Sequence, residues 1–454
     1  MQTNFTNEQL EDPDVREANR ILRRCVHCGF CTATCPTYVV LGDERDSPRG
    51  RIYAIKDMLE NGRDAKPEVS VHIDRCLSCF SCMTTCPSGV DYMHLVEIAR
   101  KHIEKTGSRS FKDRLIRRVL TELVPYPNRF RWAMRVAPLG RRFSRVFKAL
   151  NLPQLAAMAD LAPPQAPRSG RFRGPGRASP TGVRTGRVIM LAGCAQQVLR
   201  PEINDATIRL FARGGIDVVV SAGAGCCGAL SQHIGHEDKA IAAAKVNVDA
   251  WSKEIKKGGV DAIIINTSGC GTTVKDYGHL LKNEPDYAER AKTISAMAKD
   301  ITEFLDAYDI GAPKRWSSLK VAYHSACSLQ HGQRVTSQPK ALLKKAGFTV
   351  MDVPESHLCC GSAGVYNILQ PEISGALRDR KVGNIKSLRP DVVAAGNIGC
   401  MNQLAPGLDV PVVHTVELLD WAHGGPVPPG LEHLARYSTD VPQPKRSVED
   451  YIRA

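Results

Sequence analysis

The chain has 454 residues, 16 of them cysteine, with 61 Lys+Arg against 47 Asp+Glu and a formal net charge of +14. At roughly 100 to 200 residues per domain, that length suffices for two or three domains with cores of their own. Hydrophobic residues at 43% and charged residues at 24% exclude wholesale disorder and collagen-like structure, and no apolar run approaches the ~18 residues that span a bilayer. The N-terminal stretch MQTNFTNEQLEDPDVREANR carries acids and no apolar core, so no secretory signal is expected and the chain is assigned to the cytoplasm. In that reducing compartment, sixteen thiols point to metal rather than to disulfides.

From Cys25 the sequence reads Cys25, Cys28, Cys31, Cys35, and from Cys76 it reads Cys76, Cys79, Cys82, Cys86. This is C-x2-C-x2-C-x3-C-P written twice, closed by Pro36 and Pro87, and it is the bacterial ferredoxin spacing. Three cysteines in consecutive short loops can wrap three corners of a cubane, while the fourth, displaced past a turn, points away. In two-cluster ferredoxins that fourth cysteine ligates the other cluster. The expectation is therefore one [4Fe-4S] cluster on Cys25, Cys28, Cys31 and Cys86, and a second on Cys76, Cys79, Cys82 and Cys35. Zinc, usually held by two C-x2-C pairs, gives no reason for the third cysteine or the x3-C-P ending. His27, inside CVHCGFC, reads as a solvated or supporting residue rather than a ligand. Ile52, Ile55, Met58 and Leu59 fall at helical spacing, so residues 1–110 are expected to form an α-helical ferredoxin rather than the compact β-hairpin kind.

Residues 111–187 hold 17 Lys+Arg and 3 Asp+Glu, which is the whole charge excess of the chain. A helical part runs to about Leu155, and the stretch APPQAPRSGRFRGPGRASPTG reads as a flexible linker. In RFRWAMRVAPLGRRFSRVFKAL, Phe130, Trp132, Phe143 and Phe147 alternate with arginines, and Pro138 is expected to interrupt any helix. Such a segment suits an anionic surface, either the inner face of the cytoplasmic membrane or an acidic partner subunit; a solvated linker is the plainer alternative. No nucleic-acid-reading motif accompanies it, so nucleic acid is not expected as a partner.

The remaining cysteines form an internal repeat. Cys194, Cys226 and Cys227 recur as Cys327, Cys359 and Cys360, shifted by 133 residues, each pair followed by glycine (Gly228, Gly361); Cys270 and Cys400 complete the sets. Strands are expected at Val188–Leu191, Ile216–Val220 and Ala262–Ile265, and again at Val321–Tyr323, Phe348–Val353 and Val392–Ala395, with helices such as Glu202–Arg213 and Glu372–Lys386 between them. Short apolar runs alternating with helices argue for a parallel sheet, whose sites gather at the carboxyl ends of the strands. Four thiols per half should converge there as a redox or metal site, buried inert cysteines being the alternative. The chain thus reads as an α+β multidomain protein: ferredoxin module (1–110), basic segment and linker (111–187), first Cys-Cys-Gly half (188–315), second half (316–425) and a tail (426–454).

The segments CVHCGFCTATCPTY, GDERDSPRGRIY and RCLSCFSCMTTCPSGV, with GCCGA and SHLCCGSAG, resemble the glycolate oxidase (glycolate dehydrogenase) iron-sulfur subunit family over about residues 20 to 420. The resemblance implies an electron-transfer subunit that takes electrons from FAD on a partner subunit and passes them through two [4Fe-4S] clusters toward a quinone or another acceptor, while the complex oxidises glycolate to glyoxylate. More distant relatives are the iron-sulfur subunits of lactate and glycerol-3-phosphate dehydrogenases and the heterodisulfide reductases. In the last of these, each Cys-Cys-Gly half ends in C-x-x-C and binds a noncubane cluster. Here the ends read CGTT and CMNQ, so the final cysteine is missing from both halves. No G-x-G-x-x-G opens a helix after a strand and no P-loop is present, so no catalytic residue is assigned to this chain. His324, His331 and His357 lie near second-half cysteines, where ordinary polar roles are favoured over proton donation or ligation. The rival readings are a catalytic subunit whose Cys-Cys-Gly site does thiol-disulfide or quinone chemistry, and a redox-sensing binding protein.

Overall fold

A computed structural model describes residues 1–107, 109–163, 170 and 174–440. The N-terminal module is helical. Pro13–Leu22, Pro48–Glu60, Pro67–Asp74 and Tyr92–Thr106 are its longer helices, and the short helices Phe30–Ala33 and Ser81–Thr85 each carry the third cysteine of a motif. Proline opens the first three of these longer helices, where its fixed φ is pre-organised and its missing N–H costs nothing. Ile52, Ile55, Met58 and Leu59 all point into the module core, as their spacing predicts, together with Ile21, Ile73, Leu95 and Val96.

The basic segment forms four helices, Phe111–Leu123, Pro127–Arg141, Ser144–Ala149 and Pro153–Leu161. Pro138 does not break the second; it lies three residues from the helix end, and the one backbone bond it forfeits, to the Met134 carbonyl, leaves the preceding turns in place. The expected linker is also not irregular throughout. Strand β1 (Gly176–Ala178) pairs antiparallel with an edge strand of the sheet that follows and satisfies backbone groups otherwise left open. Residues 164–169 and 171–173 of that stretch, and 441–454 of the tail, lie outside the described residues.

The first Cys-Cys-Gly half contains β2 (Gly186–Met190), β3 (Ile216–Val220), β4 (Ala262–Ile265) and β5 (Ala298–Asp300). After β6 (Arg315–Ser317), the second half contains β7 (Lys320–His324), β8 (Thr349–Asp352), β9 (Val392–Ala395) and β10 (Val412–His414); β11 (Ser438–Asp440) pairs back onto β6. The first sheet runs β1-β3-β2-β4-β5 and the second β10-β9-β7-β8, so both halves wind β3-β2-β4-β5 and β8-β7-β9-β10 in the same order. All pairings within those two sets of four are parallel: Val188 lies opposite Val218 and Ala262, and Val321 opposite Val350 and Val392. Strands β3, β4 and β9 are buried on both faces, which is why they read as nearly continuous Val/Ile/Ala runs.

One core runs through both halves, from Phe211 and Phe304 to Tyr323 and Trp421. It is sealed across the seam by Arg209, which pairs with the Asp420 carboxylate at 2.7 Å. The ferredoxin module lies against this domain through His94 and Asp276 (3.1 Å), the Tyr366 hydroxyl donating to the Arg75 carbonyl (2.9 Å) and Thr84 facing His331 (2.7 Å). Among the described residues no helix is long and apolar enough to cross a membrane.

Candidate metal centres

Each ferredoxin motif turns through two left-handed residues at matched positions, His27 and Gly29 in the first, Ser78 and Phe80 in the second. Glycine takes that conformation freely, whereas His27, Ser78 and Phe80 hold it at a cost on the order of 1–3 kcal/mol each. The turns coil the chain so that its cysteines face inward. Cys25, Cys28, Cys31 and Cys86 line one recess, with Cys82 at its back; Cys35, Cys76, Cys79 and Cys82 line another. The first recess therefore joins three cysteines of its own motif to Cys86 and Cys82 of the other, and the second joins three of its own to Cys35.

The two recesses differ in what surrounds them. Cys28 is exposed, and Val26, Phe30 and Tyr53 beside it stand 67%, 63% and 62% exposed. His27 lines this first recess, its ring edge-on to Tyr53 at 6.2 Å. In the second recess all four cysteines are buried. Two buried guanidiniums serve it. Arg51 approaches Cys35 Sγ (3.8 Å) and donates to the His72 carbonyl (2.6 Å), while Arg100 donates to Ser78 Oγ and the Cys76 carbonyl, both at 2.7 Å. Asp46, wholly buried, anchors Arg51 at 3.3 Å and Arg75 at 2.9 Å, and its Oδ1 lies 3.0 Å from His72 Nδ1. Burial alone would raise the Cys76 thiol, but Arg51 and Arg100 outweigh it and hold Cys76 below the ordinary thiol range. Cys79 and Cys82 are pushed well up by burial. The donor chemistry fits the group expected here: four thiolates on iron carry net negative charge, and buried cations together with backbone and hydroxyl donors offset it.

In the Cys-Cys-Gly domain every cysteine follows the carboxyl end of a strand. Cys226 and Cys194 approach to 3.5 Å (Sγ to Sγ), and Cys227 touches both Cys226 and Cys270. In the second half Cys327 and Cys359 lie 3.7 Å apart, and Cys360 touches Cys359 and Cys400. The structure thus brings four thiols together in each half. Gly228 and Gly361, both at positive φ, let the helices Glu237–Lys256 and Pro371–Ser387 close over them, with Ala240 and Ser374 at the contact. Seven residues further along, Asn247 donates to the Cys226 carbonyl (2.9 Å), whereas Lys381 reaches the Glu355 carbonyl (2.5 Å) and places a cation among Cys360, Cys359 and Cys327.

The second half also meets the second recess. Cys79 and Cys359 share one apolar cluster with Leu77 and Tyr366, and Cys327 packs against it. His331 bridges the modules through Thr84 Oγ1 and the His357 carbonyl (3.2 Å). His324 instead lies wholly inside, and burial, with Lys381 adding, pushes its imidazole down to about 3, so it is neutral. Arg51, Arg100, Asp46 and Lys381 escape a reading of the sequence because an isolated charge in a helix carries no mark of burial; Arg51 lies within the family-like segment GDERDSPRGRIY, which was the available signal.

Fold and thiol arrangement define the class, an iron-sulfur protein in which a dicluster ferredoxin module is joined to a duplicated cysteine-rich domain. The chain matches the 4Fe-4S dicluster domain over residues 21–90 and the cysteine-rich domain twice, over 188–275 and 321–405. It is 41% identical to the glycolate oxidase iron-sulfur subunit of Escherichia coli K12 over 93% of this chain and 99% of that one, and 32% identical to the probable glycolate oxidase iron-sulfur subunit of Bacillus subtilis 168 over 89% and 94%. The lactate utilization protein A of Geobacillus kaustophilus is 25% identical over 52% of this chain. A crystal structure of a hypothetical protein from Helicobacter pylori shares the fold, with a TM-score of 0.50 at 11% identity over 91% of this chain and 73% of that one. The chain belongs to the glycolate oxidase iron-sulfur subunit family.

Proposed function

We propose that the chain is the electron-transfer subunit of a glycolate (2-hydroxy acid) dehydrogenase. Oxidation of glycolate to glyoxylate releases two electrons and two protons to FAD on a partner subunit, and two [4Fe-4S] clusters on this chain supply single-electron passage to a quinone or other acceptor. Cys25, Cys28, Cys31 and Cys86 would hold the first cluster, and Cys76, Cys79, Cys82 and Cys35 the second. The observation that carries this reading is the pair of adjoining recesses with exchanged fourth cysteines. The exposed side of Cys28, rimmed by Val26 and Phe30, is where a flavoprotein would approach, and the Cys-Cys-Gly thiols beside Cys79 would form the onward redox or metal station.

Anaerobically purified chain should carry about eight irons in cubane form. Because the fourth cysteines are exchanged, Cys86→Ser should remove the electron paramagnetic resonance signal of the cluster on Cys25 and spare its sequence neighbour. Zinc in place of iron, or selective loss of the other cluster, would sink the reading.

The basic helices would dock the subunit in the cytoplasm, at the inner face of the membrane. Trp132, Leu139 and Phe143 are exposed among exposed arginines there, whereas Phe130 is buried and Phe147 half-buried. Neutralising Arg141, Arg142 and Arg145 should weaken binding to anionic liposomes by on the order of 1 kcal/mol per charge at low salt. Binding that ignores both salt and the substitutions would leave the face to an acidic partner subunit.

A further inference from the structure

The second Cys-Cys-Gly half carries a nitrogen donor that the first lacks. With the halves aligned on Cys194 and Cys327, His324 stands where the first half has Leu191. Leu191 packs into an apolar core with Ile189 and Trp251. His324 ends β7, is 2% exposed, and its Nε2 is buried with no hydrogen-bond partner. Leaving such an atom unpaired costs roughly 1–3 kcal/mol, which a ligand there would recover. A ring nitrogen of His324 and the thiols of Cys360 and Cys400 all lie within 4.8 Å of one another. A tetrahedral ion with metal–sulfur bonds of about 2.3 Å and metal–nitrogen bonds of about 2.0 Å sets its donors roughly 3.5–3.8 Å apart, which small side-chain shifts would reach.

The missing cysteine of the C-x-x-C ending sharpens the contrast. Its place after Cys400 is taken by Gln403, which is turned away to donate to Ser374 Oγ at 2.8 Å. Cys400 thus has no partner further along its own helix, and the neighbouring donor comes from the strand end instead. Lys381 supplies positive charge beside these thiols where the first half has the neutral amide of Asn247.

We propose that the second half, and not the first, holds a thiophilic metal ion on the imidazole of His324, Cys360 Sγ and Cys400 Sγ, with Cys359 next in line as the fourth donor. The proposal rests on reading the Cys-Cys-Gly thiols as donors and deepens it. Sulfur-rich donors with one imidazole suit zinc or a single iron.

The test uses the full chain purified anaerobically with its ferredoxin clusters in place. Metal analysis, X-ray absorption at the zinc edge and Mössbauer spectroscopy should find one equivalent beyond the cubane iron, bound by sulfur and one nitrogen. The spectrum in which it falls tells zinc from iron. His324→Leu, which copies the first half, should lose that equivalent, and Cys227→Ala should keep it, with cubane signals and circular dichroism unchanged in both. Should His324→Leu fail to fold, His324→Asn reads the same loss. If the folded His324 variant retains the equivalent, or Cys227→Ala loses it, the proposal is overturned. Absence of cubane signals from the unsubstituted chain would instead defeat the electron-transfer reading and leave this site standing.

Discussion

The two ferredoxin recesses are built from the same twelve-residue pattern, yet one opens to solvent past Cys28 and Phe30 and the other is enclosed, with Arg51 against Cys35 Sγ and Arg100 on the Cys76 carbonyl. The motif sets how cysteines converge; the surroundings set what a centre held there can do. An open recess can meet a protein partner, whereas buried positive charge beside an enclosed one would favour an added electron on a centre held there; Cys359 and Cys327 pack against that second recess.

The sharpest way to break that contrast is Asp46→Ala. It leaves Arg51, 1% exposed, without its buried carboxylate, and removal of one partner of a buried pair costs about 3–5 kcal/mol. Denaturant unfolding should show a loss of that size, and the second cluster should be lost before the first. A change under about 1 kcal/mol would mean that the charge is offset elsewhere.

Arg100→Gln should act next most strongly and on one centre only. Taking a buried positive charge from beside Cys76 should move the potential of the second cluster several tens of millivolts more negative, since about 59 mV corresponds to 1.4 kcal/mol for one electron. The first cluster should stay within experimental error in the same redox titration. Equal shifts in both would erase the distinction between the recesses.

The smallest effect expected is with pH, at the seam that holds the module on the first Cys-Cys-Gly half. Burial would push His94 down, but its bonds to Asp276 and Asp91 outweigh that and raise it to about 10; it also faces His279, which is paired with Glu17. A raised histidine contributes fully below its ordinary 6.5 and loses that contribution as pH rises toward 10. Glu97, pushed to about 8 by burial and by Asp276, runs the same way, because the folded form holds its proton above the ordinary 4.5. Stability should therefore decline from about pH 4.5 to 8 through Glu97 and from about 6.5 to 10 through His94 in wild type, the upper part of that decline being shallower in His94→Gln. An identical profile in that variant would remove the seam from the explanation.

Much of this was legible in the sequence. Cysteine spacing marks both recesses because cluster geometry demands it, and the register of 133 residues marks the duplicated sheet because two copies of one unit must bury the same face. The six expected strands fall where they are found, give or take a residue or two at their ends. What stayed hidden depends on distance in space. Pro138 sits inside a helix at the loss of a single backbone bond, and β1 forms in a stretch rich in glycine and arginine because an open sheet edge is waiting for it. The difference between Leu191 and His324 was visible in the letters but without meaning until Cys360 and Cys400 were seen beside the imidazole.

The exchange of Cys35 and Cys86 between recesses also bears on how the module is made. The second four-cysteine set is complete only once the chain has been synthesised through Cys82 and the first only through Cys86, so insertion of the proposed clusters would follow translation of nearly the whole module. Clusters held there would staple Cys31 to Cys86 and Cys35 to Cys76, closing loops of about 55 and about 41 residues. By the chain-entropy account of cross-links, a loop of about 50 residues is worth on the order of 4 kcal/mol, so loading with iron and final folding of this module become one event.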